Sequence, residues 1–328
     1  MIYKFLGKTG VKVSTIAFGT MSFGGDADEA GSATMFEACR AAGVNVFDCA
    51  DMYAGGRSEE ILGRLIKDCR EEVVITSKAY FATSKDVNSM GASRRHIMYA
   101  VEASLRRLAT DRIDIYYIHR FDDRTPLEET LRAFDDLVRQ GKVVYTGASN
   151  FAAWQVMKGL GISAKEGLRA FQCIQPMYNL VKRQAEVEIL PMALSERIGV
   201  IAYNPLGGGL LTGKYAQVNR SETDRLDTLP TYRNRYGDAW MHESASRFAE
   251  FARAEGFTPA SLAVAWVASH PAVTAPILGA RNVAQIEDAL QAAEIRMTPE
   301  LYDRIASITP TPPPATDRTE MVKPKGVV

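Results

Sequence analysis

Short, almost unbroken apolar runs recur along the chain, at residues 16–18, 44–48, 73–77, 113–118, 143–147, 171–175, 200–203 and 274–278. Runs this short, rich in Val, Ile, Phe and Tyr and mostly lacking polar alternation, predict parallel strands covered on both faces. Segments of helical periodicity lie between them. Ile97, Val101, Leu105 and Leu108 form one stripe, with Ser93 placed to cap its start. Thr125-Pro126-Leu127-Glu128 combines a capping box with Pro at a first helical position, and Gly141 stops that helix. Ser58, ahead of Glu59 and Glu60, predicts a further helix start. Eight such β–α units with no compositional break predict an α/β protein built as a single (β/α)8 TIM barrel, one domain over residues 1–328. Residues 3–13 read as a β-hairpin turning at Lys8-Thr9-Gly10 and plugging the bottom of the barrel. The Pro-rich stretch 310–328 reads as an irregular tail, and the polar stretch 216–240 as a long loop of the lid type.

Composition narrows the function. The chain has 328 residues, 39 basic and 39 acidic side chains, and no basic block, which excludes nucleic acid and anionic membranes as favoured partners. No run approaches the roughly 20 apolar residues of a membrane helix, and the amino terminus lacks the apolar core of a signal peptide. Cys39, Cys49, Cys69 and Cys173 show no CxxC spacing, so a cytoplasmic location is expected. A doubly wound dinucleotide fold predicts GxGxxG after an early strand. Here Gly207-Gly208-Gly209 comes late and lacks the third glycine, and Walker A, HExxH and GxSxG patterns are absent.

Four polar residues stand out against this background. Asp48, Lys78 and His119 sit at the ends of three apolar runs, and Tyr53 follows the first by a few positions. Each alone reads as a cap, a rim ion pair or a packed ring. In a barrel, however, strand ends converge on one rim, which gathers an acid, a phenol, an amine and an imidazole. A carbonyl that accepts hydride needs a proton on its oxygen. A phenol gives one more readily beside an ammonium, which stabilises phenolate, and a sheltered ammonium needs a carboxylate. The imidazole can bind the substrate oxygen or pass a proton to Tyr53.

This arrangement resembles the aldo-keto reductase superfamily over nearly the whole chain. The matching stretches include Gly19-Thr20-Met21, FDCADMYAGGRSEEILG, ITSKAY, DIYYIHRFD, TGASNF, IQPMYN, YNPLGGGLLTGKY and LGARNVAQIED. The glycine-rich stretch resembles that of the bacterial reductases related to potassium-channel β subunits. The resemblance implies a catalytic tetrad of Asp48, Tyr53, Lys78 and His119, with Tyr53 as general acid. It also implies metal-free hydride transfer from NADPH to an aldehyde or ketone. Thr20, Met21 and Asp48 would border the cofactor. Ser149, Asn150 and Gln175 would hold the carboxamide, and Tyr203 would stack on the nicotinamide. Asn204, Pro205, Leu206, Gly207, Gly209, Leu210 and Lys214 would wrap the pyrophosphate, with Arg225 as a further phosphate ligand. Gly279, Arg281, Gln285 and Asp288 would meet the adenosine end, Arg281 pairing with a 2′-phosphate. Relatives commonly carry Glu-Asn where this chain has Asp288-Ala289, which leaves NADH open as a second cofactor. Phe23, Tyr80 and Arg120, with Phe81, Met177 and Tyr178, would line the carbonyl pocket. Two other readings use the same residues: a cofactor-sensing binding protein, and a Schiff-base aldolase acting through Lys78. Partners beyond a small carbonyl substrate are not implied, and the sequence is compatible with a homo-oligomer.

Overall fold

The computed structural model describes residues 1–216, 225–318 and 320. Two strands, β1 (Tyr3–Phe5) and β2 (Lys12–Ser14), form an antiparallel hairpin. Eight parallel strands then close into a barrel: β3 (Ala17–Gly19), β4 (Val46–Asp48), β5 (Val74–Ala79), β6 (Ile113–Ile118), β7 (Val143–Ser149), β8 (Cys173–Gln175), β9 (Gly199–Ala202) and β10 (Ala275–Gly279), which returns to β3. The helices α1 (Glu29–Ala41), α2 (Arg57–Leu65), α3 (Arg94–Leu108), α4 (Leu127–Arg139), α5 (Ala153–Glu166) and α6 (Ile189–Glu196) follow successive strands. After β9 come α7 (Arg225–Thr228), α8 (Pro230–Tyr236), α9 (Ala239–Ala254) and α10 (Pro259–Ala268); α11 (Val283–Leu290) and α12 (Pro299–Ala306) follow β10. Among the described residues no helix is long and apolar enough to cross a membrane.

Alternation along each strand sorts the apolar residues into two cores. Val46, Ile115, Cys173 and Ile201 fill the barrel interior, while Phe47, Ile75 and Tyr116 face the helices. The hairpin closes the N-terminal end, as expected. Leu6 and Val13 are fully buried and join the interior cluster, and Lys4 Nζ donates to the carbonyls of Ala268 and Val273. The approach is close enough to require two glycines. A Cβ on Gly7 would sit 2.4 Å from Gly199 N, and one on Gly199 would sit 2.5 Å from Leu6 Cδ1.

Three local expectations change. Pro126 is the residue preceding α4, and Thr125 donates to Asp122 Oδ2 at 2.7 Å rather than capping the helix. Ser58 lies inside α2, which begins after a left-handed Gly56; its hydroxyl donates to Thr20 O at 2.7 Å, pinning the helix to the strand rim. The stretch 216–240 is helical from Arg225 on, as α7, α8 and the start of α9. Its residues 217–224 and the side chain of Arg225, expected near a phosphate, lie outside the described residues.

Candidate active site

The C-terminal ends of the strands carry the polar groups. Asp48 ends β4 in register with Thr76 of β5, Lys78 sits near the end of β5, and His119 immediately follows β6. Tyr53 opens a tight 3-10 turn (Tyr53–Gly56) in which Ala54 and Gly55 are left-handed, with φ of 48° and 66°. That kink turns the chain from the rim into α2.

The four side chains meet. Asp48 Oδ2 accepts from Lys78 Nζ at 2.7 Å, and its Oδ1 accepts from Thr76 Oγ1 at 2.6 Å and Gln175 Nε2 at 2.7 Å. Lys78 Nζ also donates to Cys49 O at 2.7 Å and reaches Tyr53 Oη at 3.4 Å. The Tyr53 and His119 rings lie edge to face at 6.2 Å. Lys78 is completely buried. Burial opposes its charge, but the attraction of Asp48 and Tyr53 outweighs it and holds the ammonium pKa above the usual value. Burial pushes the Tyr53 phenol up to about 12, with Lys78 pulling it back down and Asp48 reinforcing the rise. Burial and then Lys78 push His119 down to about 3, and its Nδ1 has no hydrogen-bond partner among the described residues. At neutral pH the site therefore holds a protonated phenol, a neutral imidazole and a locked ion pair.

A cleft of about 870 Å³ runs from this point across the rim. Asp48, Tyr53, His119 and Arg120 line it together with Met21, Ser149, Asn150, Gln175 and Tyr203. Further along come Asn204, Pro205, Leu206, Gly209 and Lys214, then Gly279, Arg281, Gln285 and Asp288. Asn150 is left-handed at φ 58° and Asn204 at 62°, conformations Asn tolerates better than most residues. Ser149, Asn150 and Tyr203 are bound to one another: Tyr203 Oη donates to Asn150 Oδ1 at 2.7 Å, and Asn150 Nδ2 donates to Ser149 Oγ and to the carbonyl of His119.

Other expected residues do not reach the cleft. Phe23 is fully buried against Phe18, with ring centroids 5.7 Å apart. Tyr80 is buried behind Phe81, at 5.2 Å, and Phe81 faces the cleft in its place. Thr20 turns inward, its hydroxyl donating to Asp48 O at 3.1 Å. Gly207 and Leu210 are buried beneath the glycine-rich turn. Tyr178 packs on Trp266 at 5.3 Å and donates to Glu186, and Met177 Sδ accepts from Tyr236 Oη. Gly207 aside, the side chain in each case follows the apolar core or a nearer polar partner.

Sequence reasoning missed several cleft residues. Thr231, Tyr232 and Arg235 reach it from α8, and Met52 from the turn before Tyr53. No strand-end position marks the α8 residues, whereas Met52 sits next to Tyr53 and was within reach. Asp51, in the same turn, is also unexpected. It is almost completely buried, its carboxyl oxygens have no well-formed hydrogen bond among the described residues, and its backbone N–H donates to Lys78 O at 3.2 Å. Burial, then the nearby Glu59, push its pKa up to about 7.

The wall fits a dinucleotide. Gly208 and Gly209 are left-handed, and a Cβ on either would strike the Tyr232 ring or Lys214 Cε, so backbone and cation come close together. Beyond them, Gly279 leaves open space where a Cβ would stand. Asp288 Oδ1 is buried without a hydrogen-bond partner among the described residues, a ready acceptor for an amino group.

Comparison with known proteins agrees with this geometry. The Aldo/keto reductase family matches residues 15–310. The uncharacterized oxidoreductase YrpG of Bacillus subtilis is 35% identical over 95% of this chain and 97% of its own length. A probable voltage-gated potassium channel subunit beta of Arabidopsis thaliana is 36% identical over 95% and 98%, and a versiconal hemiacetal acetate reductase of Aspergillus parasiticus is 34% identical over 92% and 94%. With a family match across nearly all of the barrel and relatives aligned almost end to end, the chain belongs to the aldo/keto reductase family and is an oxidoreductase of that family.

Proposed function

We propose that this oxidoreductase reduces aldehydes and ketones to alcohols with NADPH, Tyr53 being the general acid. The observation that carries the reading is the buried ammonium of Lys78, held between the Asp48 carboxylate and the Tyr53 phenol, both of which line a long cleft. A reduced nicotinamide, when bound, supplies the hydride. Gln175 would hold its carboxamide along with Ser149 and Asn150, beside the Tyr203 ring. Asn204, Pro205, Leu206, Gly208, Gly209 and Lys214 would take the pyrophosphate, and Arg281, Gln285 and Asp288 the adenosine end.

The chain's own residues handle the oxygen and the proton. His119, neutral throughout the working pH range, offers an N–H to the substrate oxygen without competing for its proton. Tyr53 keeps its proton in the resting site because burial disfavours phenolate. As charge builds on the carbonyl oxygen, Tyr53 gives that proton up, and Lys78 at 3.4 Å stabilises the phenolate that remains. Asp48 keeps Lys78 charged and in place. Met21, Met52 and Phe81 give the carbonyl pocket an apolar wall. The exposed Arg120, which makes no ion pair among the described residues, suits substrates carrying an anionic group.

The test is NADPH consumption with a panel of aromatic, aliphatic and acidic aldehydes, with Tyr53→Phe run alongside. Turnover is expected to fall about 10²- to 10⁴-fold in the variant, with NADPH affinity within about twofold of the parent. Near-parental turnover in Tyr53→Phe overturns the acid assignment. Tight NADPH binding without turnover on any carbonyl overturns the reductase reading in favour of a cofactor-binding protein.

A further inference from the structure

At the adenosine end of the cleft, Arg281 is one half of a second charged pair. Arg281 Nε donates to Asp26 Oδ2 at 3.0 Å across 255 positions of sequence. Asp26 lies in the loop between β3 and α1, and Arg281 follows β10, so the pair ties the first and last barrel units together across the rim. The backbone of Arg281 is pinned: its N–H donates to Gln285 Oε1 at 3.0 Å, and Gln285 N–H in turn donates to Asn282 Oδ1 at 3.1 Å, the cap of α11. From this pinned backbone the guanidinium extends to Asp26. Both side chains are partly exposed, 28% for Arg281 and 45% for Asp26, so the pair is weak and exchangeable.

Resting on the NADPH reading above, we infer that Asp26 is a specificity-determining residue, a carboxylate that competes with the cofactor's 2′-phosphate for Arg281. A 2′-phosphate reaching the guanidinium must displace Asp26 or lie beside its negative charge. A cofactor with a free 2′-hydroxyl does neither, and the carboxylate is a good acceptor for that hydroxyl. Asp26 therefore sets a ceiling on the preference for NADPH over NADH, and Arg281 alone overstates that preference. The same competition makes the Asp26–Arg281 tie respond to which cofactor is bound: NADPH opens it and NADH leaves it closed.

The experiment measures binding directly, by calorimetry and by quenching of intrinsic fluorescence, for parent, Asp26→Asn, Arg281→Ala and the double variant. The ligands are NADPH, NADH and the fragments 2′,5′-ADP and 5′-AMP, which have no nicotinamide. Asp26→Asn is expected to tighten NADPH and 2′,5′-ADP about two- to fivefold, the scale of an exposed ion pair. NADH and 5′-AMP should stay level or weaken, and the gain should vanish in the Arg281→Ala background. Equal changes for both cofactors overturn the inference, as does a gain that persists without Arg281. Weaker NADPH binding in Asp26→Asn overturns it as well, because Asp26 would then orient Arg281 for the phosphate. Loss of all nucleotide binding in the parent protein overturns the cofactor reading itself, and this inference with it.

Discussion

The two ends of the barrel are built from opposite materials. At the N-terminal end, Leu6 and Val13 of the hairpin meet Ala17, Val46 and Ile201, and two glycines let backbone touch backbone. At the C-terminal end the barrel strands carry Asp48, Lys78 and Gln175, joined by hydrogen bonds of 2.7 Å. The apolar end rests on burial, which is indifferent to pH. The polar end rests on charges that must be matched, so its stability depends on protonation and its geometry serves chemistry. Cohesion and reactivity are thus separated along one set of strands, by which end a residue occupies.

The largest effect expected from testing this contrast is at the polar end. Asp48→Asn strands the fully buried Lys78 ammonium, at a cost of about 3–5 kcal/mol, and abolishes most turnover. Without its carboxylate the Lys78 pKa falls below the unfolded value. The native state then binds fewer protons than the unfolded chain, and the loss shrinks as pH rises. Urea melts at pH 6 and pH 9 should show that convergence. An identical deficit at both pH values would mean that the ion pair is not what the variant breaks.

Leu6→Ala comes next. It should cost about 2–5 kcal/mol through lost burial and a residual cavity, equally at both pH values, with turnover per folded molecule unchanged. A loss of catalytic rate at temperatures well below unfolding would show that the two ends are coupled.

The third change is a gain. The Asp51 pKa is raised from 3.8 to about 7. Between those values the native state keeps a proton that the unfolded chain has released, so parent stability falls as pH rises through that window. Asp51→Asn removes the slope. It should be more stable than the parent at pH 8 and no more stable near pH 4. Parallel stability curves for the two proteins would show that the Asp51 carboxyl is solvated or paired in solution.

The strands were legible because burial on both faces leaves little room for polar residues: the run 113–118 matches β6 to the residue, and the others are displaced by one or two positions. The meeting of Asp48, Tyr53, Lys78 and His119 was legible for the same reason, since a strand end has one address in a barrel. What failed depended on side-chain direction. Phe23 and Tyr80 are next to the rim in sequence, yet each turns into the core, where a ring gains most by burial. The α8 residues Tyr232 and Arg235 enter the cleft from a polar stretch with no periodic signal, and only the folded chain shows which of its faces meets the glycine-rich turn. Ser58 looked like a cap because cap and inward-facing hydroxyl share a residue type. The distinction lay in Thr20, 38 positions away.

The hairpin plug also sets an order of events during synthesis. Leu6 is synthesised long before its seat, which is made by Gly199, Ala275 and Ile277. At about 5–20 residues per second, on the order of 15 s to 1 min of translation separates the two. Throughout that interval the nascent chain carries an open sheet edge and an unsatisfied apolar hairpin, and β3 cannot close on β10 until Ala275–Gly279 has been made. The most sequence-distant contacts of the barrel therefore wait on its last strand, and the rim that would hold a cofactor is incomplete until they form.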